Sequence, residues 1–135
     1  MKEWKIGDVS IKGVIESEGP WPGTFVLPNA VPENVLKERD WLSQFTDSSG
    51  KLIMSIHPLV LESQGRKIVV DTCIGNDKVR LNPQWSKLQL PFLNDLKKVG
   101  TPRESIDCVV CTHLHVDHVG LNTTLQNRKW GANLP

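Results

Sequence analysis

Thr112-His113-Leu114-His115-Val116-Asp117-His118-Val119-Gly120 is the stretch that decides how the rest of the 135-residue chain is interpreted. Three of the four histidines and one carboxylate lie between His113 and His118. In an extended segment, side chains two residues apart point the same way, so His113 and His115 are expected to face one ion. Asp117 and His118 are adjacent, and we expect them to serve a second ion or the far side of a shared site. Imidazole nitrogen and carboxylate oxygen are ligands for zinc, and also for manganese, iron and cobalt.

The residues between and after these candidate ligands fit the same interpretation. Leu114 and Val116 are apolar, so the alternation predicts a dry side opposite the ligands. Gly120 predicts a sharp backbone turn just after them. The alternative is a histidine-rich surface turn or ordinary core histidines, which this dense spacing after a strand disfavours. His57 stands alone in the sequence and is not predicted to bind metal.

The strands ahead of the stretch bring a further acidic residue towards it. Ile106 to Cys111 is a nearly continuous apolar run, which predicts a buried central strand leading into the stretch. Residues 52–61 predict a strand interrupted at His57-Pro58, with an edge position or a bulge there because proline donates no ladder hydrogen bond. Residues 62–70 add a turn and a second strand, and the resulting hairpin ends at Asp71. Two interpretations of Asp71 stay open: an Asx-turn, or a hydrogen-bonding support for metal-ligating imidazoles.

Local patterns predict the elements of the rest of the chain. In order, they are a hairpin over residues 4–16, an ordered loop over 19–32, a helix over 32–45, an irregular segment over 74–88, a helix over 90–99 and a capping-box turn at 101–104. In the loop, Trp21 and Phe25 either line a substrate pocket or pack the loop onto the body. The residues after Gly120 are polar and turn-rich, and no helix or strand is predicted there.

The composition argues against several classes of partner and location. Sixteen basic and 15 acidic residues give a net charge of +1, which offers no electrostatic case for a nucleic acid or an anionic membrane as partner. No apolar run is long enough for a transmembrane helix. Cys73, Cys108 and Cys111 are an odd number without a disulfide pattern, so a reducing cytoplasm is the expected setting. Cys108 and Cys111 are predicted to be core residues on opposite faces, not a metal-binding or redox pair.

The motif from Thr112 to Gly120 resembles T-H-x-H-x-D-H-x-G of the metallo-β-lactamase superfamily. From Ile53 to Gly120 the chain is similar to the lactonase and methyl parathion hydrolase branch. This resemblance implies an α+β fold, the αββα sandwich, in a single domain spanning residues 1–135. Because the superfamily's remaining histidine and aspartate ligands normally follow the motif, and none follows His118, we expect the N-terminal half of that sandwich, a mixed sheet with flanking helices.

The resemblance also implies roles for individual residues. His113 and His115 would bind the first zinc ion, and Asp117 and His118 the second, with Asp117 also orienting the attacking water as the catalytic residue. One or two zinc ions are expected, and manganese, iron or cobalt would be accepted. Asp71 would support the metal-binding loop through hydrogen bonds without being a ligand itself. It begins Asp71-Thr72-Cys73, where superfamily members have glycine in place of the cysteine, and this puts the backbone of that turn in doubt.

The implied function is hydrolysis of a small-molecule lactone, ester or phosphotriester by a metal-bound hydroxide. Two alternatives stay open: a non-catalytic truncated module that keeps the motif, and a thioester hydrolase or nuclease on the same scaffold. A truncated chain would have an incomplete metal site, and we expect this length alone to be inactive. It would also expose surfaces that favour association into homodimers.

Overall fold

The computed structural model describes residues 2–134, so Met1 and Pro135 lie outside the described part of the chain. These residues form two compact units: a larger one made of the chain up to Glu16 and from Ile56 onward, and a smaller one, Ser17–Ser55. The strands are β1 (Lys2–Ile6), β2 (Val9–Gly13), β3 (Ser17–Trp21), β4 (Leu52–Ile56), β5 (Leu59–Ser63), β6 (Arg66–Val70), β7 (Cys108–Val110), β8 (Thr123–Gln126) and β9 (Lys129–Ala132). The α-helices are α1 (Pro32–Lys37), α2 (Arg39–Leu42) and α3 (Phe92–Lys98).

The larger unit is built on a mixed five-stranded sheet of order β1-β2-β5-β6-β7. Both predicted hairpins are present: β1 pairs antiparallel with β2, and β5 pairs antiparallel with β6. Gln64 and Gly65 take the left-handed conformation that a two-residue hairpin turn requires. Strand β7 joins β6 in parallel through a connection that contains α3. A mixed sheet with few helices confirms the expected α+β class.

The hydrophobic core of the larger unit lies between the sheet and α3. Val60 of β5 and Val69 of β6 cluster with Phe92 and Leu96 of α3, and Leu96 is fully buried. The other buried members of this cluster are Val14, Cys73, Ile106, Leu121 and Leu134. Apolar burial of this kind is worth about 1.5–3 kcal/mol per large side chain. Packing of Val69 and Val109 on this core positions the carboxyl ends of β6 and β7. Asp71 follows β6, and the loop with the candidate ligands follows β7.

The smaller unit corrects the prediction of a loop over residues 19–32. Ser17–Trp21 forms β3, which pairs with β4 in a two-stranded sheet. Pro20 is tolerated there because both strands of such a sheet are edge strands. The helix predicted over 32–45 is present but broken at Glu38 into α1, α2 and a short 3₁₀ turn. The Trp21 and Phe25 rings contact each other, with centroids 5.5 Å apart, and Phe25 is 54% exposed.

Strand β7 is not the buried central strand that the apolar run predicts. It spans three residues, lies last in the order of the described sheet, and leaves Val110 47% exposed. Cys108 is exposed as well, so its prediction as a core residue is wrong. The apolar run predicts a strand of the sheet, but it does not show whether that strand has a neighbour on one side or on both.

Two further predictions, for the turn near residue 104 and for the segment after Gly120, were also wrong. The turn at Arg103–Ser105 forms, but no side chain caps it, and Ser105 Oγ donates to Pro102 O instead. The polar segment after Gly120 forms the β8–β9 hairpin, whose turn residues Asn127 and Arg128 are left-handed without any glycine. None of the helices described over residues 2–134 is long and apolar enough to cross a membrane.

Candidate metal centre

The candidate ligands lie in the loop that leaves β7 and ends at the 3₁₀ turn Gly120–Asn122. The loop consists of bends and turns and is not extended; His118 N donates to His115 O across one of these turns at 3.0 Å. The predicted alternation of wet and dry sides therefore fails. Leu114 is 83% exposed and Val116 is 37% exposed. Because the backbone is turned and not extended, residues two apart need not point to the same side.

The loop nevertheless brings the predicted ligands together. His113 Nε2 lies 3.0 Å from His115 Nδ1, with the two rings edge to face and their centroids 4.6 Å apart. The His118 ring lies beside that of His113, with centroids 3.9 Å apart. Asp117 Oδ2 lies 3.4 Å from His118 Nε2. Three imidazoles and one carboxylate therefore share one patch, which is open to solvent at His113 and His115.

Asp71 holds this loop from the end of β6. Its Oδ1 accepts from Thr112 N at 2.8 Å, and its Oδ2 lies 2.8 Å from His118 Nδ1. The Thr112 hydroxyl lies 2.9–3.0 Å from both carboxylate oxygens. Partial burial raises the pKa of Asp71, but the hydrogen bonds from His118 and Thr112 outweigh it, so the pKa of this carboxyl lies below its ordinary value. The expected hydrogen bonds to the loop backbone and to an imidazole are thus present.

This network assigns the proton on two of the rings. Ionised Asp71 only accepts, so His118 must carry a proton on Nδ1, and in the neutral imidazole this leaves Nε2 with a free lone pair. The single Thr112 hydroxyl proton is directed to Asp71, so the hydroxyl oxygen accepts from His113 Nδ1 at 3.0 Å. His113 therefore also presents a bare Nε2. A hydrogen bond that fixes the tautomer in this way is what metal-ligating histidines normally have.

The geometry of the two ligand pairs fits zinc. Two nitrogens bound to one tetrahedral zinc at about 2.0–2.1 Å lie about 3.3 Å apart. The 3.0 Å between His113 Nε2 and His115 Nδ1 and the 3.4 Å between His118 Nε2 and Asp117 Oδ2 are both near that spacing. Within residues 2–134, however, no group of three His, Cys, Asp or Glu side chains is arranged to hold one ion. The spacing of each pair thus matches two ligands of one zinc ion, but neither pair is a complete site among these residues.

A tight turn after β6 supports the far end of the loop. Asp71 and Cys73 both adopt left-handed φ values, +62° and +58°. Cys73 thus adopts a backbone conformation that glycine takes readily, so the replacement of the motif glycine by cysteine does not prevent the turn. A left-handed conformation at a residue other than glycine is expected to cost about 1 kcal/mol or more. Burial raises the pKa of the Cys73 thiol, and the negative charges of Glu16, Asp71 and Asp117 raise it further, so it stays protonated.

Gly120 is required for close approach, not for the turn that the sequence suggests. Its φ lies outside the left-handed region, but its backbone packs directly on the turn. Gly120 N donates to Cys73 O at 2.7 Å, and Leu121 N donates to Thr72 O at 2.9 Å. A Cβ at Gly120 would overlap the carbonyl group of Ile74 and lie 2.5 Å from Cys73 O.

Two residues of this site were missed in the sequence. Thr112 bridges Asp71 and His113 through its hydroxyl, and its place in the motif was the only available signal. Glu16 accepts from Ile74 N at 2.9 Å and Gly75 N at 3.0 Å, although 58 residues separate Glu16 from Ile74. Nothing in the residues around Glu16 indicates such a contact.

Comparisons with known proteins return a family match and several solved structures of similar fold. A family model described as "Metallo-beta-lactamase superfamily" matches residues 55–133. A probable metal-dependent hydrolase from Staphylococcus aureus is similar in structure, with a TM-score of 0.64 and 23% identity over 87% of this chain. The hydrolase AbOPH of the beta lactamase superfamily has a TM-score of 0.66 and 22% identity over 98% of this chain. The dizinc quorum-quenching lactonase AidC has a TM-score of 0.60 and 20% identity over 88% of this chain.

At these identities the structures establish a shared fold only. The matched part spans 42%, 41% and 37% of those three chains, respectively, so this chain covers about two fifths of their length. No curated protein sequence matches the chain significantly.

Proposed function

The chain belongs to the metallo-β-lactamase superfamily, and from that premise we propose that it serves as a metal-dependent hydrolase acting on lactones, esters or phosphotriesters. One observation carries the proposal. The Nε2 atoms of His113 and His118 lie in one patch, 3.0 Å from His115 Nδ1 and 3.4 Å from Asp117 Oδ2 respectively. We place lactones first because AidC, which shares the fold, is a lactonase.

The proposed division of labour follows the two pairs. His113 and His115 would hold one ion, and Asp117 and His118 a second, with zinc favoured and manganese, iron or cobalt accepted. When bound, the metal supplies Lewis-acid chemistry and lowers the pKa of a water molecule. Asp117 has a second carboxylate oxygen with which to accept a hydrogen bond from the attacking water and orient it. Asp71 keeps the proton on Nδ1 of His118, so that its Nε2 stays available.

A metal-binding module without turnover is the second candidate. It is favoured by the absence, among residues 2–134, of any three side chains arranged to hold one ion. A catalytic zinc typically has about three protein ligands and an open position. The hydrolase proposal requires a further ligand for each pair in addition to the side chains that are placed together among residues 2–134. We therefore expect the 135-residue chain by itself to bind zinc weakly and to turn over poorly.

Side-by-side assays separate the two candidates. The 135-residue chain and the product of its full reading frame are loaded with zinc or manganese and given a lactone, an aryl ester and an aryl phosphotriester. The hydrolase proposal expects turnover by the full product that is lost on chelation and in Asp117→Asn, with His57→Ala as the matched control. No turnover of any of the three substrates by either protein contradicts it. Zinc binding that depends on His113 but comes without turnover favours the module.

Location and assembly belong to the same proposal. All three cysteines are free, which accords with a reducing cytoplasm. Val110 at the outer strand of the described sheet and Leu114 on the loop are exposed apolar side chains. Their burial in a homodimer is the assembly we propose, and sedimentation velocity would test it.

A further inference from the structure

Glu16 is a half-buried carboxylate with no role in the proposed chemistry. Its side chain accepts from two successive backbone groups, with Oε2 receiving Ile74 N at 2.9 Å and Oε1 receiving Gly75 N at 3.0 Å. Its own N–H donates to Ile56 O at 2.9 Å, so the residue is anchored at the backbone as well. Ile74 is fully buried, so water is not available as a substitute acceptor at its N–H.

The turn that Glu16 holds contacts the ligand loop at both ends. At its start, Asp71 binds Thr112 and His118. At its far end, the backbone of residues 73–75 packs against Gly120, two residues beyond His118, with no room for a side chain between them. A shift of this turn would therefore move both anchoring points of the loop together.

We propose that Glu16 is a positioning residue for the metal centre, because it fixes the turn 71–75 on which the ligand loop rests. The inference depends on the proposed metal-binding function of His113, His115, Asp117 and His118. Burial raises the pKa of Glu16, and the hydrogen bonds from Ile74 and Gly75 oppose that rise. Burying the charged carboxylate therefore has an electrostatic cost. The carboxylate can accept from both N–H groups, whereas an amide could accept from only one of them with the same geometry.

Glu16→Gln is the direct test, with Glu62→Gln on the exposed face of β5 as matched control. Co²⁺ is the probe, with affinity measured by chelator competition and geometry by d–d absorption. We expect Glu16→Gln to weaken Co²⁺ binding about tenfold, the lower end of what residues supporting metal ligands contribute, and to change the spectrum. Glu62→Gln should leave both measurements unchanged.

Val60→Ala distinguishes positioning from a merely structural role, because Val60 is a buried core residue of β5 and is not part of the turn 71–75. It should lower stability while keeping Co²⁺ affinity and spectrum. In the metal-free protein, the ¹⁵N–¹H signals of the His118 ring should shift in Glu16→Gln and not in Val60→Ala. If Glu16→Gln does not fold, Glu16→Asp replaces it, because its shorter carboxylate cannot hold both N–H groups, and the same Co²⁺ and His118 measurements apply.

Two outcomes overturn the inference and differ from each other. If Glu16→Gln is destabilised like Val60→Ala but has the Co²⁺ affinity, spectrum and His118 signals of the unsubstituted chain, Glu16 is structural only. If the unsubstituted chain and Glu62→Gln both fail to bind Co²⁺, the proposed metal-binding function fails and this inference fails with it.

Discussion

Replacing Gly120 by alanine tests how the ligand loop is held. A Cβ there would overlap Ile74 O and would lie 2.5 Å from Cys73 O, whereas Cβ atoms in proteins essentially never lie closer than 3.0 Å to such atoms. Both obstacles are backbone atoms, so no rotamer change relieves the overlap, and the two segments must separate by roughly an ångström.

The magnitude follows from what the separation breaks. The hydrogen bonds Gly120 N to Cys73 O, at 2.7 Å, and Leu121 N to Thr72 O, at 2.9 Å, cross the contact. Losing them costs about 1 kcal/mol each, and overpacking adds about 1–3 kcal/mol. We expect Gly120→Ala to lower the free energy of unfolding by about 3–5 kcal/mol, a large part of a typical total of about 5–15 kcal/mol.

Urea denaturation followed by tryptophan fluorescence measures this loss. Gly131→Ala in β9 is the matched control, since a Cβ there meets nothing within 4 Å. The control should stay within about 0.5 kcal/mol of the unsubstituted chain. A Gly120→Ala protein as stable as the control would refute the close contact between the loop and the turn.

Three further predictions concern the surroundings of the site. Asp71→Asn leaves one acceptor oxygen where the carboxylate has two, so it cannot serve both Thr112 N and His118 Nδ1, and zinc affinity by chelator competition should fall about 10- to 100-fold; unchanged affinity would contradict this role. Asn133→Ala leaves the Leu121 carbonyl without the donor that now lies 3.0 Å away, and should cost about 1–3 kcal/mol in urea denaturation; a loss below about 0.5 kcal/mol would contradict it. Burial raises the folded-state pKa of Glu16 above its ordinary value of 4.5, so the folded chain binds this proton more tightly than the unfolded chain. Its stabilising contribution is complete below that value and is lost as pH rises through the folded pKa. The stability of the unsubstituted chain relative to Glu16→Gln should therefore decrease as pH rises above 4.5, and an increase would contradict the prediction.

The hairpins and the place of Asp71 could be predicted because their signals are local. Gln64-Gly65 separates two apolar runs, and the second run ends at Asp71. Turn chemistry and two-residue periodicity fix such units within about 20 residues of chain. The donor chemistry of the loop was equally visible, since four potential ligands lie in six residues.

The position of β7 and the hairpin after Gly120 depend on information the sequence does not carry locally. An apolar strand with one neighbour and one with two look alike in a single sequence, so the exposure of Val110 was not foreseen. Strands β8 and β9 are mostly exposed and lack clear alternation, and Asn127-Arg128 makes the turn without glycine. Leu134, just after β9, packs into the core, and this long-range contact is not visible in the local sequence.

The contacts that hold the ligand loop were hidden for the same reason. Glu16 meets Ile74 across 58 residues, and Gly120 is needed because of Ile74, not because of its own φ. Such long-range backbone contacts leave no periodic pattern. The sequence therefore indicated which atoms are available for a metal, while the support around them emerged only from the fold.

Calorimetric titration of the metal-free chain with zinc tests the central claim most directly, comparing the unsubstituted chain with His113→Ala, His118→Ala and His57→Ala. We predict measurable zinc binding that falls at least tenfold in His113→Ala and in His118→Ala and is unchanged in His57→Ala. Equal affinity in all four proteins, or a loss only in His57→Ala, would contradict the assignment of the metal centre to this loop.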